Sequence, residues 1–181
     1  MKARHQTSDM SARAGRDTDQ IQKEIVDWLR DAYGMERGLE SALEKQSKNE
    51  EASAEIRRRA SMHLAETRRH AEAVKLLLQT LGTDTSSLKT GMGMMAQSAK
   101  GMMTVFARDE RIKDLLDSYM MEHFEIACYT ALAAAAERAG LMQVVETCRS
   151  IIPDEERMAE TIITALPDEV SDYLFEETVR R

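Results

Sequence analysis

Residues 115–133 read LLDSYMMEHFEIACYTALA, a helical stretch that places glutamates on the face that a protein would bury. Glu122 and Glu125 lie one turn apart among the apolar residues of that face. Those apolar residues recur at steps of three, four and seven, as in an amphipathic helix: Leu115, Tyr119, Ile126, Tyr129 and Ala133. The stretch therefore predicts a helix, from about residue 109 to 139, that carries carboxylates into a core.

The same pattern predicts three more helices, over about residues 19–46, 52–81 and 141–166. The roughly 25 residues between the second and third helices are too many for a hairpin. They predict a methionine-rich crossover, and one such connection is typical of ferritin-like bundles. The predicted fold class is all-α, a ferritin-like four-helix bundle with one long crossover containing a short extra helix.

The two ends of the chain are expected to lie outside the bundle, which should span residues 19–166. Residues 1–18 are polar with little to bury, which predicts a disordered N-terminal tail. Proline lacks the amide hydrogen that a helix interior needs, so Pro153 should bend the fourth helix and Pro167 should end it. Residues 167–181 are then a C-terminal tail or a short helix.

Each predicted helix has a carboxylate on its buried face and near its midpoint: Glu36, Glu66, Glu122 and Glu155. In an antiparallel bundle such positions converge to within roughly 5 Å along the axis. Burying a lone carboxylate is unfavourable by several kcal/mol, whereas shared divalent cations would neutralise the group. The alternative is that each lies at the edge of its buried face and reaches water.

The expected ligands of a metal pair are Glu36, Glu66, His70, Glu122, Glu125 and Glu155. This set follows the plan of di-iron bundles, in which some helices supply a glutamate and others a glutamate with a histidine. The fourth helix has Met158 and Ala159 where a second histidine would lie. We therefore expect one metal position with His70 and another held by carboxylates alone. His63 is expected to support the site without ligating, and the alternative for His70 is a core histidine bonded to a carboxylate.

Several segments resemble the YciE/YciF stress-response branch of the ferritin-like superfamily over about residues 20–166. They are Asp31-Ala32-Tyr33-Gly34-Met35-Glu36, His63-Leu64-Ala65-Glu66-Thr67 with His70, Glu122-His123-Phe124-Glu125-Ile126-Ala127, and Asp154-Glu155. The resemblance implies a ferritin-like fold, a dinuclear metal centre, a homodimer and a role in stress or iron handling.

The composition excludes other classes of protein. A net charge of −7 argues against a general nucleic-acid binder. No run of 18 apolar residues exists, which predicts no membrane-spanning helix. Cys128 and Cys148 lack the spacing of zinc or redox motifs, as expected of buried residues in a cytoplasmic protein.

Two functional hypotheses fit these ligands. One is a ferroxidase or peroxide-consuming protein whose cofactors are two iron ions and whose other partner is dioxygen or peroxide. Oxygen-rich ligation suits hard metals and favours the ferric state of iron. The alternative is a non-catalytic stress-response bundle in which manganese or zinc has a structural role. The same ligands accept either metal.

Overall fold

A computed structural model describes the backbone of residues 2–50, 52, 54–83 and 110–179, and the side chains of the same residues except 2–18, 110 and 177. This part of the chain forms four helices and no strand. They are α1 (Lys2–Ser47), α2 (Ala54–Thr80), α3 (Glu110–Ala139) and α4 (Met142–Val179). The predicted crossover, with its short helix, lies outside the described residues. None of the helices described is long and apolar enough to cross a membrane.

The four helices pack as two pairs. α1 lies mainly against α2, and α3 lies mainly against α4, while contacts of α1 with α3 and of α2 with α4 join the pairs. The tight turns that close α2 and α3 depend on glycine. Gly82 and Gly140 have positive φ angles of 73° and 71°, and the residue after each donates a hydrogen bond to a carbonyl five residues back. Glycine takes this left-handed conformation without a steric penalty from Cβ.

A polar layer divides the apolar core along the bundle. The larger apolar cluster lies on one side and includes Leu29 of α1, Leu78 of α2 and Tyr129 of α3. On the other side, two smaller clusters are centred on Leu43 with Leu64 and on Leu115 with Met158 and Ile162. The glutamates fall between these clusters because each lies near the middle of the packed part of its helix. The fold therefore places one buried polar layer where all four helices meet.

The helix ends differ from the sequence prediction at both ends of the chain. α1 begins at Lys2, not at residue 19, so the backbone of residues 2–18 is helical where a disordered tail was predicted. This segment has no proline and a single glycine, Gly15. Extending a helix that is already packed avoids the unfavourable nucleation step, so a polar sequence can continue it.

The fourth helix does not end at Pro167. α4 continues to Val179 and contains both Pro153 and Pro167. Glu169 is buried beyond the second proline, and its carboxylate lies 3.5 Å from Arg59 of α2 and 3.1 Å from Arg111 of α3. Arg111 also donates to the carbonyl of Glu169 at 3.2 Å. These contacts hold the segment against the bundle and offset the hydrogen bond that proline removes.

We expect Leu29→Ala to lower the free energy of unfolding by about 2–5 kcal/mol, because it leaves a cavity at a fully buried position. Leu76 is 56% exposed on α2 and provides the control, since Leu76→Ala should change stability by no more than about 0.5 kcal/mol. Urea denaturation followed by circular dichroism measures both. Equal losses in the two variants would contradict the packing described.

Candidate metal centre

The polar layer consists of seven side chains that are each at most 4% exposed: Glu36, His63, Thr67, His70, Glu122, Glu125 and Glu155. All four helices contribute to it. Four carboxylates in one apolar interior repel one another and lack the solvation that water would give them. The arrangement is stable only if protons, imidazolium groups or metal ions balance the negative charge.

Potential ligand atoms form two groups within this layer. In the first, atoms of Glu36, His70 and Glu155 all lie within 4.8 Å of one another. In the second, atoms of His63, Glu122, Glu125 and Glu155 satisfy the same distance. Glu155 belongs to both groups, so its carboxylate lies where it could bridge two ions.

Several ligand atoms of the layer have no hydrogen-bond partner among the described residues. They include both oxygens of Glu125, one oxygen each of Glu36 and Glu122, and one ring nitrogen each of His63 and His70. Buried polar atoms are normally paired, so this number of unpaired donors and acceptors in one place requires an explanation. Carboxylate oxygens with imidazole nitrogens are a donor set that fits iron, manganese or zinc.

The histidine contacts support this interpretation. Nδ1 of His70 lies 2.8 Å from Glu155 Oε1 and 3.8 Å from Glu36 Oε1, but without the alignment of a hydrogen bond. His63 lies 3.4 Å from Glu122 through Nδ1 and 3.6 Å from Glu155 through Nε2. Nitrogen and oxygen atoms that are close without being bonded to each other leave their lone pairs free for a common cation.

The structure changes the expected set of residues on α2. The stripe that faces the layer runs through His63, Thr67 and His70, whereas Glu66 has a side chain that is 27% exposed. The Glu66 carboxylate lies 3.8 Å from Arg69 and 3.6 Å from Arg157, and it belongs to neither ligand group. The other five predicted ligands are brought together.

The sequence prediction placed Glu66 on the buried face of α2, where it would lie if Ala73, seven residues further on, belonged to that face. Val74 is fully buried instead, and Ala73 is only half-buried. The buried face is therefore displaced by one residue, which is about 100° on a helix. Ala60, Thr67 and Val74 lie seven residues apart and mark the buried face of α2. His63 lies on this face, three residues after Ala60 and four before Thr67. With His63 in the second group, each group contains one histidine, and neither consists of carboxylates alone.

Tyr129 connects the layer to the large apolar cluster. Its hydroxyl donates to Glu36 Oε1 at 2.5 Å, and its ring is fully buried. Tyr129 is thus both a core residue and a hydrogen-bond donor to a candidate ligand. The bond holds one oxygen of Glu36, whereas the other oxygen has no hydrogen-bond partner among the described residues.

A small cavity borders the layer on the opposite side. It has a volume of about 30 Å³, and His63 forms part of its wall. Most of its remaining lining is apolar, including Leu43, Ala60, Leu115 and Met158. A cavity of this size has room for one or two water-sized molecules.

Burial raises the pKa of three of the four carboxyl groups in the layer. It raises the pKa of Glu122 to about 10 and that of Glu36 to about 7, the latter despite the opposing bond from Tyr129. Burial also raises the pKa of Glu125 well above its ordinary value. Burial would raise the pKa of Glu155 as well, but contacts with His63 and His70 outweigh it and lower that pKa to about 2.

These shifts predict how the metal-free protein responds to pH. A carboxyl whose pKa is higher in the folded state stabilises the fold below its unfolded pKa, near 4.5, and that stability is lost as pH rises. The loss should pass through about pH 7 for Glu36 and continue toward about pH 10 for Glu122. Glu155 has the opposite sign, because its stabilisation is lost as pH falls from 4.5 toward 2.

We therefore expect the metal-free protein to be most stable near pH 5 and to lose on the order of a few kcal/mol between about pH 5 and pH 8. The stability of the metal-loaded protein should fall much less over this pH range, because the cation takes the place of the protons in neutralising the carboxylates. Urea unfolding at several pH values, with chelator or with added metal, measures both curves. Stability of the metal-free form that rises across this range would contradict the assignment.

The sequence matches a known protein family, and the structure resembles several solved structures. A family model described as a domain of unknown function, DUF892, matches residues 20–175. A protein of known structure from Xanthomonas campestris pv. campestris is 34% identical, with a TM-score of 0.72, and the match covers 88% of this chain and 99% of that one.

Two more distant structures show the same fold. The stress protein YciF of E. coli is 20% identical with a TM-score of 0.63, and the match covers 83% of this chain and 97% of that one. A bacterioferritin-related protein from Bacteroides fragilis, described as a dodecameric thioferritin, is 15% identical with a TM-score of 0.63, and the match covers 87% of this chain and 90% of that one. The predicted ferritin-like four-helix bundle and the resemblance to the YciE/YciF branch are confirmed. Because the family model matches most of the sequence, over residues 20–175, this chain belongs to the DUF892 family.

Proposed function

We propose that this protein binds a pair of iron ions in the polar layer and oxidises ferrous iron or consumes peroxide. The observation that carries the proposal is the buried carboxylate of Glu125. Neither of its oxygens has a hydrogen-bond partner in the part of the chain that the structure describes, and the potential ligand atoms of Glu125, His63, Glu122 and Glu155 lie within 4.8 Å of one another. An isolated ionised carboxylate in such a place is strongly unfavourable, and a cation removes the penalty.

Each metal position has its own histidine in this proposal. Glu36 and His70 would hold one ion, and His63, Glu122 and Glu125 would hold the other. Glu155 would be available to both ions, since it belongs to both groups. Mixed oxygen and nitrogen ligation favours divalent transition metals over calcium or magnesium.

The protein's own residues prepare the site for redox chemistry. When bound, two ferrous ions would supply the two electrons that, together with two protons, reduce one peroxide molecule to two water molecules. Tyr129 holds Glu36 in place through its 2.5 Å bond, so the carboxylate keeps its orientation as ions bind. The apolar clusters on both sides exclude bulk water, which strengthens every electrostatic interaction in the layer. A dimer is expected from the resemblance, and a role in oxidative stress or iron handling follows from the same chemistry.

A second candidate is a structural site for zinc or manganese. The two histidines favour it, because imidazole is a common zinc ligand and the layer provides one for each position. In that case the metal neutralises the core without turnover. The two candidates differ in the oxidation of bound iron, not in the identity of the ligands.

The ligand assignment predicts different effects on metal affinity for substitutions of Glu125 on α3 and Glu66 on α2. Glu125→Gln preserves shape and removes the charge, so we expect it to weaken one of two cobalt-binding steps by at least about tenfold. Glu66→Gln should change neither step by more than about threefold, because Glu66 lies outside both groups. Anaerobic calorimetric titration measures these affinities, with Glu156→Gln on the exposed side of α4 as the control.

If Glu66→Gln strongly weakens cobalt binding and His63→Ala does not, the ligand set expected from the sequence is correct and the one proposed here is wrong. Loss of both binding steps in a variant that circular dichroism shows to be folded would indicate a single shared site.

Oxidation kinetics separate the two candidate functions. On mixing ferrous-loaded protein with peroxide or dioxygen, we expect an absorbance change from ferric iron at least about tenfold faster than for the folded Glu125→Gln variant, because the carboxylates stabilise the ferric state. Stopped-flow spectroscopy measures the rates. If both proteins oxidise iron no faster than buffer does, while both zinc positions fill, the structural alternative is correct.

A further inference from the structure

The two ring nitrogens of His70 face different surroundings. Nδ1 faces the layer, 2.8 Å from Glu155 and 3.8 Å from Glu36. Nε2 faces outward and makes a 3.1 Å hydrogen bond with Oδ2 of Asp154 on α4. A neutral imidazole has one protonated nitrogen and one lone pair, so the partner of one nitrogen determines what the other can do.

Asp154 is held firmly in this position. Its carboxylate lies 3.2 Å from Arg69 of α2 and pairs closely with Arg157 of its own helix. Both arginines also approach Glu66, at 3.8 and 3.6 Å. The side chain of Asp154 is only 15% exposed, so the network covers the outer edge of His70. Asp154 remains a carboxylate beside two guanidinium groups and can only accept a hydrogen bond from Nε2.

We propose that Asp154 is a positioning residue that keeps the proton of His70 on Nε2 and thereby presents the Nδ1 lone pair to a metal ion. The proposal rests on the metal centre proposed above and adds the ligating atom and the residue that selects it. A carboxylate behind a ligating imidazole fixes the ring orientation and increases the basicity of the ligating nitrogen.

His63 lacks the same division between an inner and an outer nitrogen. Both of its nitrogens lie near carboxylates of the layer, Glu122 at 3.4 Å and Glu155 at 3.6 Å. Its ring therefore has no preset tautomer from these contacts. The position that contains His70 is prepared in advance and should bind its ion first and more tightly, because less ordering accompanies binding.

The first measurement uses nitrogen NMR of the full chain labelled with ¹⁵N-histidine and loaded with zinc, which is diamagnetic. We expect His70 to show a metal-bound Nδ1 and a protonated Nε2. In Asp154→Ala this pattern should give way to a mixture or to Nε2 ligation. Wild-type protein in which zinc is bound through Nε2 of His70 would overturn the proposal, whereas protein that binds no zinc would overturn the metal centre itself.

The second measurement is the zinc affinity of the tighter step by competition with a chromogenic chelator. Asp154→Ala should weaken it by about 10–100-fold. Asp154→Asn keeps a carbonyl acceptor and should recover most of the affinity, to within about fivefold of wild type. Glu156→Ala, the neighbouring exposed carboxylate, is the matched control and should have no effect.

Circular dichroism and urea unfolding of each variant verify that it is folded. If Asp154→Ala is folded and retains both wild-type affinity and the Nδ1 ligation pattern, Asp154 does not position His70. If Asp154→Asn is as weak as Asp154→Ala, the negative charge and not the hydrogen bond is responsible, and the tautomer proposal fails.

Discussion

The burial of Glu36, Glu122, Glu125 and Glu155 in one layer is the constraint on which the rest of the structure depends. Apolar residues at these positions would give a simpler and more conventional bundle, since ridges of leucine and alanine are sufficient to pack four helices. Carboxylates at the same depth make the native state depend on what neutralises them. The stability of the fold and the chemistry of the site are therefore set by the same atoms, and neither can change without the other.

The surrounding architecture holds this layer in place. Apolar clusters on both sides prevent the carboxylates from reaching water by small movements of the helices. Ion pairs of Glu169 with Arg59 and Arg111 tie the extended end of α4 to α2 and α3. The rim network around Asp154 joins α2 to α4 directly outside the layer. At both of these places a polar contact thus joins α2 to α4, which pack together less extensively than α1 with α2 or α3 with α4.

The sequence was informative where a helix face was unambiguous. Glu36, Glu122, Glu125 and Glu155 lie among regularly spaced apolar residues, and their burial followed from that spacing alone. On α2 the buried face is broad, so a displacement by one residue placed Glu66 inside instead of Thr67, and His63 was expected only to support the site. The bond between Asp154 and His70 joins residues 84 positions apart, and no local pattern contains that information. The end of α4 could not be predicted because proline reports only a local preference, whereas the ion pairs of Glu169 hold the segment beyond Pro167 against the bundle. The start of α1 could not be predicted from low apolarity, because a helix that has already formed can extend without burial.

The seven-residue separation of His63 and His70 has a geometric consequence. Two turns of one helix span about 10.5 Å, so the two ligand groups lie one after the other along the long axis of the bundle, not side by side across it. One group then borders the large apolar cluster through Tyr129, and the other borders the 30 Å³ cavity beside His63. The two groups therefore have different neighbours: a space with room for water-sized molecules adjoins the His63 group, and packed apolar side chains adjoin the His70 group.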